Sequence, residues 1–340
     1  MKALVYAAPS RVEVRDVPEP QPRDHAAKVR MRYCGVCGTD IAIHAGKHPR
    51  AKAPLVIGHE FVGVIEEVRG GTRGFKPGER VVAYPLLSCG VCLPCRTGTP
   101  HVCEKLKLIG IDCDGGMAGF AWVDEDVLFK VDDALSDRIA ALIEPLAVIV
   151  RSLHQSRYQV RDSAVIIGAG PIGLLTAIAL RRSGASRIVI SDVDEARLGM
   201  CHTLGYETVN GKNGGLVNFV NEATKGEGMD VVFECSGVES AALEVTKLAR
   251  VGGTICMTGI HKAPHPVDLR EINFKEQTLV GSRVYTKREF EQTVSYAAQI
   301  RDDLEHVVTQ VVPLTKSAGI FDMIADPAIN TLKVLVDCTA

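Results

Sequence analysis

At 340 residues the chain is too long for one compact core and suits two domains. Hydrophobic residues make up 46% and charged residues 24%, an ordinary composition for a soluble globular protein, and a formal net charge of −2 argues against nucleic acid or another polyanion as partner. No apolar run is long enough to cross a bilayer, which argues against a membrane protein. The 11 cysteines fit a reducing, cytoplasmic compartment with thiols used for metal better than a disulfide framework.

The chain opens with "MKALVYAAPS", one lysine and a short apolar stretch, which reads as a first β-strand and not as a signal peptide. Up to about residue 140, "KALVYAA", "RVEVRDV", "AAKVRMRYCG", "LVIGHEFVGVIEEV", "ERVVAYP" and "AGFAWVDEDVLFKV" all read as strands between Gly and Pro punctuation. Within this β-rich region "YCGVCGTDIAIHAG" carries Cys34 and Cys37, followed by Thr39 and His44. The run "PLVIGHEFVGVIEEV" is apolar and β-branched, yet holds His59 and Glu60 in its middle. Burying one unpaired polar group costs on the order of 2–7 kcal/mol, so the pair calls for a ligand, unless His59 is a satisfied core histidine. Adjacent residues of a regular strand point to opposite faces; both reach one ion only if the strand turns or bulges there.

Next comes "SCGVCLPCRTGTPHVC", with Cys89, Cys92, Cys95 and Cys103 in a C-x2-C-x2-C-x7-C pattern. Four thiolates at this spacing in a loop-rich stretch make a closed tetrahedral zinc site. The segment has almost no apolar residues to fold around, so metal supplies its folding energy. An iron–sulfur cluster uses a related run, but nothing else in the chain points to electron transfer. In "ALIEPLAV", Glu144 sits in an apolar setting before Pro145 at a helix start. One Cys, one His and one or two carboxylates suit zinc with an open coordination position, unless Glu144 is a mere helix-start carboxylate.

From about residue 142 the texture changes. "PLAVIVRSLHQS" is helical; then "SAVIIGAG", "SRIVISD", "MDVVFECSG", "GGTICMTG" and "QTLVGS" are short apolar strands, separated by helix-length segments such as "PIGLLTAIALRRSG" and "ESAALEVTKLARVG". This is the βαβ texture of a parallel sheet covered on both faces. Gly168, Gly170 and Gly173 make G-x-G-x-x-G between the first strand and its helix, which Pro171 and Ile172 open. The glycines allow the tight turn, the approach of a pyrophosphate and the close packing of helix on strand, and the helix N-terminus offers free N–H groups. Asp192 ends the next strand, where a carboxylate accepts both ribose hydroxyls and repels a 2′-phosphate, so NAD is expected over NADP. Arg197 is placed to reach the adenosine ribose or a phosphate, unless it is a solvated helix residue. The tail from about 286 is mixed and is expected to pack back on the first domain.

The motifs "CGVCGTD", "GHEFVG", the four-cysteine lobe, "EPLAV" and "GAGPIG", in that order, resemble the zinc-dependent medium-chain dehydrogenases, most of all the sorbitol (polyol) and threonine dehydrogenase branch. The resemblance runs over nearly the whole chain. It implies an α/β protein with a GroES-like β-rich catalytic domain, residues 1–145 and 287–340, and a doubly wound Rossmann domain binding NAD, residues 146–286. It implies catalytic zinc held by Cys37, His59 and either Glu60 or Glu144, with Cys34 only packing. The alcohol dehydrogenases of the superfamily have a second Cys where Glu144 stands, which argues for the polyol or threonine branch. Zinc then acts as a Lewis acid on the substrate hydroxyl, and Thr39 matches the residue that takes the substrate proton. The family relay continues to a His where this chain has Ala42. His44 is nearby, and strand alternation would set 42 and 44 on one face; exit through His44 or through water stays open.

The loop "HAGKHPRAKAP", with Lys47, His48, Arg50 and Lys52, borders the substrate cleft in the family and reads either as a contact for a sugar acid or phosphorylated polyol or as a solvated surface loop. Arg283 lies near where the polyol branch has a substrate-touching Arg. The expected enzyme is a zinc- and NAD-dependent dehydrogenase of a polyol, sugar or sugar acid, a cytoplasmic homo-oligomer (dimer or tetramer). A threonine dehydrogenase and a non-catalytic NAD-binding sensor are the alternatives; the set Cys37, Thr39, His59 and Glu144 argues against the sensor.

Overall fold

The computed structural model describes residues 1–340. The chain divides into two compact units: Met1–Pro145 with Thr286–Ala340, and Leu146–Tyr285. No helix is long and apolar enough to cross a membrane.

The first unit is built on a seven-stranded sheet. Its order is Leu128–Lys130, Arg80–Ala83, Glu60–Arg69, Ala26–Val36, Lys333–Asp337 and Val308–Pro313, with Phe120–Asp124 also paired to Ala26–Val36. The long strand Ala26–Val36 is central. Its buried positions Ala27, Val29, Met31 and Cys34 face the core, and its far end delivers the chain to Cys37. The tail enters this sheet through two strands, and Lys333–Asp337 pairs antiparallel with the end of Ala26–Val36.

Two stretches that read as single strands are each divided. "LVIGHEFVGVIEEV" pairs as Leu55–Val56 with the first strand in a separate three-stranded sheet, then leaves it and enters the seven-stranded sheet at Glu60. The break falls at Gly58, whose φ of +100° lies in the left-handed region. A Cβ there would stand 2.5 Å from Cys34 Sγ and 2.7 Å from Met117 Cγ. "AGFAWVDEDVLFKV" is likewise two strands around a short 3-10 turn, Glu125–Val127. Buried Glu125 fixes that turn by accepting from the N–H groups of Thr72 and Arg73 at 3.1 and 3.0 Å.

The second unit is a parallel six-stranded sheet in the doubly wound order 3-2-1-4-5-6: Glu207–Asn210, Arg187–Asp192, Ser163–Ile167, Met229–Glu234, Ala249–Met257, Thr278–Gly281. Val165, Val189, Val232 and Ile255 from four strands pack with Val220 and Val245 from the covering helices. Glu207–Asn210 has no apolar run and escapes a pattern search; it is only half-buried, at the sheet edge. The helices Glu195–Thr203, Gly215–Ala223 and Leu269–Phe274 fall in segments to which the sequence reading assigns no element.

Candidate metal centres and cofactor site

Cys37 stands immediately before the helix Gly38–His44 and caps it. The Thr39 N–H donates to Cys37 Sγ at 3.1 Å, and the Asp40 carboxylate accepts from the Cys37 N–H at 2.9 Å. This reciprocal box fixes the direction of the thiol. His59 follows the Gly58 break and brings Nε2 to 3.3 Å from Cys37 Sγ. Cys37, His59 and Glu60 each place one ligand atom within 4.8 Å of the other two. Zn–S and Zn–N bonds of about 2.3 and 2.0–2.1 Å at a tetrahedral angle set sulfur and nitrogen about 3.5 Å apart, so the trio fits a shared zinc ion.

The electrostatics of the pocket also call for a cation. Burial raises the Cys37 thiol and the Asp40 carboxyl above their ordinary ranges. Burial alone would lower His59, but the negative charges of Cys37, Asp40 and Glu144 outweigh it and hold the imidazole well above its usual range. His59 Nδ1 and Asp40 Oδ1 are both buried and without a partner. A ligating imidazole is oriented by a carboxylate on its second nitrogen, and of the two carboxylates whose charge acts on His59 the stronger influence is Asp40. The signal for Asp40 was its capping-box spacing, three residues after Cys37.

Lys333 is the residue that no motif announced. It is completely buried, ion-paired to Glu60, and donates to the Val36 carbonyl at 2.9 Å. Burial would lower its pKa, but Glu60, Cys37 and Glu144 raise it above the ordinary lysine value, so it stays charged. Gly35 makes room for the pair: a Cβ there would overlap the Glu60 carboxylate and stand 3.0 Å from Lys333 Cε. Of the two carboxylates named from the sequence, Glu60 stands in the trio. Glu144, in the first turn of helix Ile143–Ser156, stands outside it but acts on both His59 and Lys333 through its charge. Cys34 is fully buried, with its thiol pushed up by burial.

His44 requires a correction. Residues 38–44 form a helix and not a strand, so positions 42 and 44 lie about 200° apart around the axis and on different faces. The His44 ring stacks on Phe321 at 4.5 Å, and its Nδ1 is buried without a partner. In the following loop Lys47 and Lys52 are exposed, while His48 Nδ1 accepts from the Arg50 and Ala51 N–H groups. Arg50 donates to the Leu106 carbonyl at 2.5 Å and pairs with Asp112 at 3.3 Å. Arg50 thus braces the loop against the segment after the cysteine lobe.

In that lobe Cys89, Cys92, Cys95 and Cys103 bring four sulfurs within 4.8 Å of one another, with recorded spacings of 3.4, 3.7 and 4.0 Å. A ZnS4 tetrahedron with bonds of about 2.3 Å needs about 3.8 Å; a disulfide needs about 2.05 Å. Backbone N–H groups of Val91 and Cys92 pull the Cys89 thiol down to about 6. Burial among the other sulfurs pushes Cys95 up to about 12. Thiolate is the form that binds metal, so the lobe is preset for it.

In the second unit Gly168 turns the chain at φ +107° and Gly173 packs against it so closely that a Cβ would overlap the Gly168 carbonyl. Helix Pro171–Arg182 starts at Gly170 with no side-chain cap, and a Cβ on Gly170 would meet nothing within 4 Å. Uncapped N–H groups facing open space suit a pyrophosphate. Asp192 is tied to this turn: its carboxylate accepts from the Ala169 N–H at 2.7 Å and from the Val193 and Asp194 N–H groups at 2.7 and 3.0 Å. Ile172 lies in the first turn of the helix, behind Pro171. Arg197 is on the next helix, 3.8 Å from Asp194. Arg283 is exposed beyond the strand Thr278–Gly281.

Two family models match the chain: the alcohol dehydrogenase GroES-like domain over residues 23–133 and the zinc-binding dehydrogenase domain over 171–299. Among similar proteins are a 2-dehydro-3-deoxy-L-galactonate 5-dehydrogenase of Pseudoalteromonas atlantica (35% identical, covering 94% of this chain and 93% of that one) and a sorbitol dehydrogenase of Halalkalibacterium halodurans (33%, 91% and 92%). An L-threonine 3-dehydrogenase of Pseudoalteromonas translucida is 32% identical, covering 95% and 96%. Among solved structures, the 2R,3R-butanediol dehydrogenase of Bacillus subtilis superposes with a TM-score of 0.91 at 27% identity, covering 99% of both chains. A zinc-binding dehydrogenase of Sinorhizobium meliloti bound to NADP scores 0.91 at 29%, covering 99% and 98%. An Escherichia coli alcohol dehydrogenase complexed with NADH scores 0.88 at 27%, covering 99% of both.

Protein purified without chelator is expected to carry two zinc ions per chain by elemental analysis. Cys37→Ser should fold, retain one zinc and lose turnover. Cys92→Ser should lose the other zinc and unfold at lower temperature, since a structural zinc contributes folding energy; a single zinc in the wild type contradicts one assignment and none contradicts both. Removing one partner of a buried ion pair costs about 3–5 kcal/mol, so Lys333→Met should lower unfolding free energy by that order, read by urea titration. Adding Glu60→Gln should recover part of the loss, and an additive double variant would show that the two residues are not coupled.

Proposed function

This chain belongs to the zinc-binding, GroES-like alcohol dehydrogenases, and we propose that it oxidises a secondary alcohol of a polyol, sugar or sugar acid to the ketone, passing hydride to NAD. The observation that carries this reading is the donor set: one thiolate, one imidazole and one carboxylate converge, and a second carboxylate, Glu144, stands beside them. The similar proteins named for sugar-acid and sorbitol oxidation support the substrate class.

Bound zinc supplies Lewis acidity toward the substrate hydroxyl. The chain does the rest. Cys37, His59 and Glu60 hold the ion, and Asp40 fixes the orientation of Cys37 through its N–H and of His59 through its charge. Lys333 holds the Glu60 carboxylate in place. Thr39, two residues after Cys37 and anchored by its own N–H on the Cys37 thiol, presents the hydroxyl that receives the substrate proton. In the second unit the uncapped helix start at Gly170 takes the pyrophosphate, and Asp192 takes the adenosine ribose. The four-cysteine lobe holds the structural zinc. The same reading divides the labour between the units, catalysis in the first and dinucleotide binding in the second. The free cysteines support a reducing cytoplasm as the compartment, and a dimer or tetramer is the proposed assembly.

A second hydroxyl beside the reacting one gives the acidic residues of the site, Glu60 and Glu144, a donor. Losing a hydrogen bond to a charged group costs roughly 1.5–3 kcal/mol, about ten- to a hundredfold in kcat/KM. A 2,3-diol should therefore exceed the matching mono-alcohol by that factor. L-threonine belongs in the same series, because of the threonine dehydrogenase similarity; if it or the mono-alcohol is oxidised as efficiently as every polyol and sugar acid tried, the substrate class is wrong. The Asp192 carboxylate should make kcat/KM higher with NAD than with NADP. Asp192→Ser should weaken NAD and relieve the repulsion of the 2′-phosphate, and a wild type that prefers NADP would refute the cofactor choice.

A further inference from the structure

The second unit contains a buried ionisable pair that the reading above does not use. Glu234 ends the strand Met229–Glu234 and is completely inaccessible. Its Oε1 accepts from the Ser236 N–H at 2.8 Å, the Ser236 hydroxyl at 2.5 Å and the Gly237 N–H at 2.8 Å. Its main-chain carbonyl accepts from the N–H groups of Thr258 and Gly259, both at 2.8 Å. One residue therefore fastens the turn after its own strand to the turn after the neighbouring strand Ala249–Met257. Capping these turns engages the backbone carbonyl and one carboxylate oxygen. The second oxygen, Oε2, lies 3.0 Å from His261 Nε2.

In the neutral ring, with the Nε2 proton donated to the carboxylate, His261 Nδ1 is left as an acceptor. That nitrogen is buried and has no partner, and the ring is held edge-on by His265 at 5.3 Å. An unmade hydrogen bond at a buried polar atom is costly, so the arrangement points to a missing donor. The place where the pair sits says which donor. The Gly168 turn ends the central strand Ser163–Ile167, and a Cβ on Gly168 would stand 3.2 Å from the Ser236 N, so the turn that Glu234 caps adjoins the dinucleotide turn. The sheet order reverses between these two strands, and open α/β sheets bind ligands in the crevice at such a switch point. Asp192 lies on the strand to one side of the glycine turn, where it serves the adenosine ribose. A dinucleotide with its pyrophosphate on that turn sends its other nucleoside to the opposite side, toward Glu234 and His261.

We propose that His261, aligned by Glu234, is a positioning residue for the nicotinamide half of the cofactor, its Nδ1 accepting a hydrogen bond from a hydroxyl of the ribose that bears the nicotinamide. This rests on the dinucleotide reading of the glycine turn. The test is calorimetric binding of ADP, ADP-ribose and NAD to the zinc-loaded protein and to two variants. His261→Gln keeps a donor for Glu234 and loses the acceptor at the Nδ1 position. His261→Asn keeps an acceptor there and gives up the contact with Glu234. In His261→Gln the Kd for ADP-ribose and NAD should rise about three- to tenfold, the worth of one neutral hydrogen bond, with ADP unchanged; His261→Asn should stay closer to wild type for ADP-ribose. Equal weakening of ADP and ADP-ribose in His261→Gln would show that the pair only braces the turns, and no change in any ligand would also overturn the proposal. Wild-type protein that fails to bind ADP would instead overturn the dinucleotide reading.

Discussion

The buried ion pair between Glu60 and Lys333 straddles the end of the central strand of the first unit. Gly35 lies directly opposite Glu60 on one side and Leu335 on the other. The two charges meet over the one position in that strand that lacks a side chain. Burying either charge alone costs several kcal/mol, and only a close partner offsets it. Three strands must therefore keep their register for the pair to exist. That same register sets where Ala26–Val36 ends, and so where Cys37 emerges, and it starts the neighbouring strand at Glu60, next to His59. The metal-ligand trio is a consequence of how the sheet accommodates these charges.

The two candidate zinc centres solve opposite problems. At Cys37 and His59 the donors are embedded in a folded core. Their positions are set by a capping box, a glycine break and paired strands before any ion arrives. The lobe at Cys89–Cys103 has no such support. Val91 and Leu93 are exposed, and the elements between the cysteines are single turns. Order there depends on four thiolates sharing one cation, helped by backbone N–H groups that favour the thiolate of Cys89 and Cys92. A metal at the first centre would serve chemistry in a pocket the fold already shapes, and one at the second would supply the order itself.

In the second unit the recurring device is a carboxylate that ends a strand and fastens a neighbouring turn. Asp192 does so for the glycine turn and Glu234 for the turn after its own strand, while the Glu234 main-chain carbonyl holds the turn after the fifth strand. Each uses backbone N–H groups that would otherwise be unsatisfied at the carboxyl edge of a parallel sheet. Each also leaves the crevice side of the site polar and rigid, which is what a bound dinucleotide requires of its walls.

Local chemistry was legible in the residues themselves. The spacing of Cys89, Cys92, Cys95 and Cys103 states a tetrahedral site, because all four ligands come from one short loop. Gly168, Gly170 and Gly173 state a phosphate turn, because the constraint acts within one strand–helix junction. The buried His59 and Glu60 were conspicuous against an apolar strand, and a break beside them was required if both were to face one ion; it falls at Gly58. What the sequence could not carry was anything set by contacts between distant segments. The divided strand at Glu125–Val127 depends on Thr72 and Arg73. Helix 38–44, which displaces His44 from a strand face, is the exception: its Cys37–Asp40 cap is local, and the spacing for it stands in the sequence. Lys333, far from Glu60 along the chain, looks like any lysine at a strand start until the sheet brings it to the trio. Composition and spacing report the chemistry a segment is able to do; which charges are buried together, and so which residues must act as one, is decided only when long-range strand pairing removes them from water.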